Sequence, residues 1–82
     1  MYSIELSTLA EKQLSKLKKE VQKRITSTLE RIRIRPYPHV KKLVGSPYYR
    51  LRIGDYRVIM NIQGDKLIIF VIEIGDRKKI YK

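Results

Sequence analysis

Three arginines near the middle of the chain occupy positions where a β-hairpin would gather them. Gly54-Asp55 predicts the turn, because glycine accepts the positive φ that a two-residue hairpin turn needs. In that register Arg52 faces Arg57, and strand alternation places Arg50 on the same face. Like charges directly opposite each other destabilise a sheet. A guanidinium cluster of this kind therefore indicates a polyanion site, since arginine binds phosphate oxygens through paired N–H donors.

The same register divides the hairpin into two chemically different faces. Ile53 faces Tyr56, Leu51 faces Val58 and Arg50 faces Ile59. Five apolar or aromatic side chains emerge on the face opposite the arginines, and these are Tyr49, Leu51, Ile53, Tyr56 and Val58. We expect that face to pack on the core.

Two helices are predicted before the hairpin. Thr8 and Glu11 match a capping box, so a helix should begin there. A single helix from Thr8 to Arg35 would extend roughly 40 Å, whereas a globule of this length spans about 30 Å. We therefore expect a break near Lys18 to Glu20, which gives an antiparallel pair. The apolar stripe of the pair comprises Leu14, Leu17, Val21, Ile25, Leu29 and Ile32.

The remaining segments predict strands. Alternation from Tyr2 to Leu6 indicates a first strand, and the second hairpin strand should end at Ile62, before a turn over 63–65. The apolar, β-branched stretch from Leu67 to Ile74 predicts an inner strand covered on both faces, which the chain leaves at Gly75-Asp76-Arg77. The order β-α-α-β-β-β predicts an α+β fold in a single domain, residues 1–82.

Charge and composition limit the partners. The 82 residues include 19 Lys and Arg against 8 Asp and Glu, a formal charge of +11. Such a charge favours nucleic acid, an anionic surface or an acidic protein, although a solvated basic surface would explain it too. The chain has no cysteine, no paired carboxylates at metal-ligand spacing and no phosphate-binding glycine loop, so we expect no metal and no cofactor. Without a signal-peptide pattern, a cytoplasmic location is expected.

Several motifs together resemble the RelE/ParE superfamily of toxin–antitoxin systems. The resemblance is carried by Leu43-Val44-Gly45, the hairpin from Tyr49 to Ile59, the segment from Ile72 to Arg77, and Ile80-Tyr81. It covers essentially the whole chain and implies a RelE-like fold, in which an N-terminal helical hairpin packs on a small, mainly antiparallel sheet. It also implies a type II toxin of the RelE branch, which cleaves messenger RNA in the ribosomal A site.

The resemblance assigns catalytic roles by motif position to Arg50, Arg52, Arg57, Arg77 and Tyr81. RNA can be cut without a metal when its 2′-OH attacks the adjacent phosphate, which needs a base, a proton donor and charge stabilisation. Tyr81 is the predicted base, because nearby guanidinium groups would lower the pKa of a phenol. Arg77 takes the donor or leaving-group role by resemblance only. Alternatively, Tyr81 packs on the sheet edge.

Other polar side chains have less specific expectations. We predict RNA or ribosome contacts for five lysines, which are otherwise a solvated surface: Lys12, Lys16, Lys19, Lys41 and Lys42. His39, the sole histidine, lies in a proline-flanked loop. It is expected at the surface, with phosphate contact as the alternative.

The helix pair can cover only one face of the sheet, which leaves an apolar patch among the arginines. Its predicted members are Ile59, Ile68, Phe70 and Ile72. A patch ringed by positive charge suits an acidic, amphipathic segment of another protein, and the resemblance implies a cognate antitoxin. Two alternatives to the nuclease stay open: a ParE-like inhibitor of DNA gyrase without nuclease activity, and an inactive RNA-binding relative.

Overall fold

A computed structural model describes residues 1–76 of the chain. Arg77 and Tyr81, both predicted site residues, lie outside the described residues. The elements in chain order are β1 (Ser3–Leu6), α1 (Thr8–Ser15), α2 (Lys19–Ile32), a 3-10 helix (Tyr37–His39), β2 (Lys41–Lys42), β3 (Tyr49–Ile53), β4 (Tyr56–Gln63) and β5 (Ile68–Asp76).

The strands form one sheet in the order β1-β5-β4-β3-β2. The β1–β5 pair is parallel and the other three pairs are antiparallel. The predicted α+β architecture, two helices and a mainly antiparallel sheet, is confirmed. One strand was not predicted: the segment expected to be a loop contains β2, whose two residues pair with Tyr49 and Arg50. Two residues are too few to show a periodic pattern.

The central hairpin has the predicted register. Ile53 pairs with Tyr56, and Arg52 pairs with Arg57. Gly54 adopts φ +58° in the turn, a conformation that costs an ordinary L-residue about 1–2 kcal/mol. A Cβ at this position would also lie 2.8 Å from the Arg24 guanidinium of α2. Glycine is therefore suited to this turn both by its backbone freedom and by its lack of a side chain.

The first helix begins at Thr8 as predicted, but the capping residue is different. Ser7, not Thr8, is the N-cap, and its hydroxyl accepts a hydrogen bond from the Ala10 amide at 3.0 Å. The same hydroxyl donates to the Ile72 carbonyl at 2.7 Å. The Ser7 amide extends the β1–β5 ladder by donating to Val71 at 2.8 Å. Pairing with β5 therefore fixes where the chain leaves the sheet, and the helix starts one residue later.

The predicted break between the helices is confirmed, and it lies about two residues earlier than expected. Lys16 caps the end of α1 and Lys18 precedes the first turn of α2. The principal extents are 33 × 27 × 23 Å, so a continuous 40 Å helix would not fit. Within residues 1–76, no helix is long and apolar enough to cross a membrane.

Both helices pack on one face of the sheet, which we call the covered face. The core consists of Ala10 from α1, three residues of α2 and the inward side chains of β3, β4 and β5; its members besides Ala10 are Ile25, Leu29, Ile32, Leu51, Ile53, Val58, Met60, Ile62, Ile69, Val71 and Ile74. Leu14, Leu17 and Val21 pack against it half-buried, so the predicted apolar stripe is confirmed.

The last hairpin departs from the prediction in three respects. Its turn extends to Leu67, which has φ +55°, so β5 begins at Ile68. A bulge at Ile72 shifts the register between Met60–Val71 and Ile59–Glu73. The strand continues through Gly75 to Asp76 instead of ending before them, because both residues pair with β4. Although β5 is an inner strand as predicted, the helices cover only one of its faces, and Ile68, Phe70 and Ile72 are half-buried.

Candidate functional site

The arginines lie together on the face of the sheet opposite the helices, which we call the open face. Arg50 pairs with Ile59 of β4 on one side and with Lys41 of β2 on the other, while Arg52 pairs with Arg57. Residues directly opposite each other share a face, with Cβ atoms about 4.5–5.5 Å apart. Three arginines and one lysine thus occupy adjacent positions on three strands.

The paired arginines differ sharply in exposure. Arg52 is exposed, whereas Arg57 is only 8% exposed. On its other side Arg57 pairs with Gly75 of β5, which has no side chain to occupy the space above the strand. Two guanidinium groups at neighbouring positions repel each other, and Arg52 is the more accessible member of the pair. Phosphate binding by these arginines stays a prediction.

A pocket of about 400 Å³ opens at the β2 end of this cluster. It is lined by Pro38, His39, Val40, Lys41, Arg50 and Arg52. A volume of this size is within the range of ordinary small-ligand pockets. The sequence placed His39 at the surface, and it is exposed. What the sequence missed is that β2 pairs with β3 and brings His39 beside two of the arginines.

A second cavity of about 410 Å³ lies where β5 extends beyond the end of β1, next to α1. The Gln13 side chain accepts a hydrogen bond from the Ile74 amide at 2.6 Å there, which satisfies a backbone donor that β1 does not reach. Glu73 and Asp76 line this cavity with Lys16. Its walls mix both signs of charge, unlike those of the pocket beside Arg52.

The predicted lysines separate into two groups. Lys41 joins the arginines on the open face, whereas Lys42 pairs with Tyr49 and lies on the opposite side of β2. Lys12, Lys16 and Lys19 are exposed and belong to the helix layer, on the far side of the sheet. RNA or ribosome contacts by these residues stay a prediction, and only Lys41 adjoins the arginine cluster.

The apolar patch borders the basic cluster on the open face. Ile59 pairs with both Arg50 and Glu73, Phe70 pairs with Asn61, and Ile68 pairs with Gln63. Ile72 occupies the bulge. The open face therefore has two halves, a basic one near Gly54 and a largely apolar one toward the Gly64 turn. Antitoxin binding by this patch stays a prediction.

Three tyrosines cluster near the Gly64 turn. The rings of Tyr37 and Tyr49 meet edge to face with centroids 5.7 Å apart. Partial burial raises the pKa of Tyr37, and Tyr2 raises it further through its charge and a hydrogen bond. Tyr37 is therefore a protonated phenol at neutral pH and is unsuited to be a general base, the role that the sequence analysis gives to Tyr81.

Comparison with known families shows which protein family the chain belongs to. Residues 4–81 match the family described as the ParE toxin of the type II toxin–antitoxin system parDE. The chain belongs to this family. The predicted membership of the RelE/ParE superfamily is thus confirmed. A comparison with curated protein sequences found no match, so the finer resemblance comes from solved structures.

The solved structures most similar to this toxin include several RelE proteins. The RelE chain of the intact Escherichia coli RelBE toxin–antitoxin complex is 28% identical, with a TM-score of 0.81 over 93% of this chain and 96% of that one. The archaeal RelE–RelB complex from Pyrococcus horikoshii contains a chain that is also 28% identical, with a TM-score of 0.81 over 93% of this chain and 94% of that one. Isolated E. coli RelE is 26% identical, with a TM-score of 0.83 over 99% of this chain and 92% of that one. The toxin is therefore structurally similar to RelE.

Proposed function

We propose that this toxin is a ribosome-dependent mRNA endonuclease that inhibits translation, with residues 1–82 acting as a single domain. The observation that carries the proposal is the arginine cluster on the open face, at Arg50, Arg52 and Arg57, in a fold similar to RelE. A surface with paired guanidinium groups suits the phosphorane of RNA cleavage, in which negative charge develops on the non-bridging oxygens. Action on ribosomes implies a cytoplasmic location.

The exposed and buried arginines have different roles in this mechanism. Arg52 and the half-exposed Arg50 bind the non-bridging oxygens of the scissile phosphate. Arg57, the least exposed of the three, supplies fixed positive charge that is already in place when the transition state forms, so no reorganisation is needed. Tyr81 accepts the 2′-OH proton in our proposal, and Arg77 adds positive charge at the leaving group. No metal or cofactor enters this mechanism.

The lysines add affinity to this mechanism without sequence preference. Lys41 extends the arginine cluster toward β2 and contacts the next phosphate of the message. Lys42 and the lysines of the helix layer, which are Lys12, Lys16 and Lys19, contact ribosomal RNA. Phosphate contacts of this kind position a protein and do not read bases.

The proposed partner is a cognate, acidic antitoxin that covers the open face. The similar RelE proteins from E. coli and P. horikoshii were solved as complexes with RelB antitoxins. In this chain the apolar half of the open face offers Ile59, Ile68, Phe70 and Ile72, all of them half-buried. A bound amphipathic segment would bury these side chains and place acidic residues against the arginines.

A second candidate function is inhibition of DNA gyrase. The observation that favours it is the family match itself, since the matching family is described as ParE toxins. A gyrase inhibitor binds a protein and needs no cleavage chemistry, so Arg52 would contribute only charge. A third possibility, an inactive RNA-binding relative, keeps the basic surface but does not cleave.

One set of assays separates these functions. Freshly purified toxin is incubated with naked RNA, with mRNA programmed into ribosomes, and with gyrase and relaxed DNA. We expect cuts at A-site codons by primer extension only in the ribosomal reaction, and normal supercoiling by gyrase. Loss of supercoiling without cuts would replace our proposal with the gyrase function. RNA binding without either effect would identify an inactive relative.

A further inference from the structure

We propose that His39 is the general acid of the cleavage reaction, an inference that rests on the proposed nuclease function. His39 ends the 3-10 helix, and the next residue, Val40, is extended with φ −126° and ψ 163°. The β2–β3 register pairs Lys41 with Arg50. His39 lies two residues before Lys41, outside the paired residues of β2, and it lines the same pocket as Arg50 and Arg52.

The pocket is the observation that places His39 beside the arginines. His39, Lys41, Arg50 and Arg52 all line one cavity of about 400 Å³. A phosphate bound by the two arginines would therefore lie in the same space as the imidazole. The His39 amide donates to the Pro36 carbonyl at 3.0 Å. Because His39 is exposed and lines the pocket, its side chain is accessible to a ligand bound there.

Chemistry favours histidine among the groups that face this pocket. Arginine holds its proton too tightly to act as an acid near neutral pH. The ordinary pKa of a lysine, about 10.4, is also far from neutral. Imidazole exchanges its proton in the physiological range and is the side chain most often used for proton transfer. Glu73 and Asp76, the acidic residues of β5, line the second cavity and not this one.

The proposed step balances as follows. The 2′-oxygen forms a bond to phosphorus and gives its proton to the base, Tyr81 in our proposal. The bond between phosphorus and the 5′-oxygen breaks, and the His39 imidazolium donates its proton to that departing oxygen. The products are a 2′,3′-cyclic phosphate and a 5′-hydroxyl, and the imidazole is reprotonated by solvent. In this scheme Arg77 contributes charge at the leaving group and not a proton.

A leaving-group substitution tests the assignment. Ribosomes are programmed with either an ordinary mRNA or one carrying sulfur in place of the 5′-bridging oxygen at the scissile linkage. A thiolate departs without a proton, since thiols ionise at a pKa of about 8.5. For His39→Ala and His39→Gln we expect an ordinary mRNA to be cut about 10²–10⁴-fold more slowly, and the sulfur-containing mRNA to be cut at the rate of the unsubstituted toxin.

The controls make each outcome decisive. Arg31→Ala, which changes an exposed residue of α2, should cut both substrates normally, and thermal unfolding should show that the His39 variants are folded. Equal losses on both substrates would show that His39 binds or positions the phosphate and would overturn the proposal, as would full activity of both variants. If the unsubstituted toxin cuts neither substrate, the nuclease function fails, and the acid assignment fails with it.

Discussion

The two faces of the β3–β4 hairpin have opposite compositions, although they are built by alternate residues of the same strands. On the covered face Leu51, Val58 and Met60 are at most 4% exposed and pack under the helices. On the open face Arg50 and Arg52 are accessible, and the covering helices lie on the other side. Successive side chains of a strand point to opposite faces of the sheet. Each strand can therefore pack on the core with one set of side chains and present the other set to a ligand.

The comparison teaches that stability and activity should be separable in this toxin. Substitutions on the covered face should change the free energy of unfolding and leave the chemistry of the folded molecules intact. Substitutions of exposed arginines should do the reverse. Arg57 is the exception, because it is 8% exposed while lying on the open face, so its removal should affect both properties.

The largest stability effect should follow truncation of a covered side chain. Met60 is fully buried, and Met60→Ala should lower the free energy of unfolding by about 2–5 kcal/mol. Phe70→Ala removes a half-buried ring from the open face and should cost about 1 kcal/mol, while weakening antitoxin binding. Urea unfolding of both variants measures the difference. Equal losses would show that Phe70 contributes to the core and that the two faces are not distinct.

Backbone strain in the turn gives the next largest effect. Gly54→Ala should cost about 1–2 kcal/mol because of its positive φ, and more if the Arg24 guanidinium cannot move away from the new methyl group. Gly45→Ala is the matched control, since Gly45 has φ +70° and a Cβ added there would have no neighbouring atom within 4 Å. In urea unfolding, the loss of stability in Gly54→Ala beyond that in Gly45→Ala measures the cost of the clash with Arg24. Equal losses would mean that the Arg24 side chain moves away at no cost.

A feature of this site can be predicted from the sequence when the residues that determine it are close together in the chain. The Gly54-Asp55 turn and the alternation around it are local, and they predict the Arg52–Arg57 pair correctly. A local capping motif predicts Thr8 as the N-cap, yet Ser7 caps the helix. The choice depends on β5, whose Ile72 carbonyl accepts from Ser7. That partner is 65 residues away in the sequence, and no capping pattern contains it.

The pocket beside Arg52 was missed for the same reason. Its far wall is β2, a two-residue strand with no recognisable periodicity. Only its pairing with β3 brings His39 and Lys41 to the arginines. The bulge at Ile72 was also invisible, because an apolar run gives no sign of which residue leaves the ladder.

Salt dependence should show a smaller difference between the faces. Binding of a 2′-O-methyl RNA oligonucleotide, which lacks the nucleophile, is measured by fluorescence anisotropy over a range of salt concentrations. Arg52→Ala should reduce the slope of log K against log salt by about 0.7, the value for one phosphate contact with a single strand. Arg31→Ala removes the same charge from the helix layer and should leave the slope unchanged. Equal slopes for the two variants would mean that net charge alone governs binding.

The smallest effect concerns the tyrosine cluster at the end of the sheet. Partial burial raises the pKa of Tyr37 above its ordinary value of about 10. Its contribution to stability is therefore complete below that value and is lost as the pH rises through the folded-state pKa. Tyr37→Phe should make the decline in unfolding free energy above about pH 10 shallower. An unchanged decline in urea unfolding at alkaline pH would show that Tyr37 titrates normally.

The central claim is that an exposed arginine on the open face binds the phosphate of an mRNA being cleaved. The most direct test is the single-turnover rate of A-site cleavage on programmed ribosomes, measured for Arg52→Ala and Arg31→Ala. We expect Arg52→Ala to cut about 10²–10³-fold more slowly, as for loss of one donor to a developing oxyanion. It should unfold at no lower a temperature than the unsubstituted toxin, because it removes a like charge opposite Arg57. Arg31→Ala should cut at the normal rate. Normal cleavage by Arg52→Ala would contradict the account.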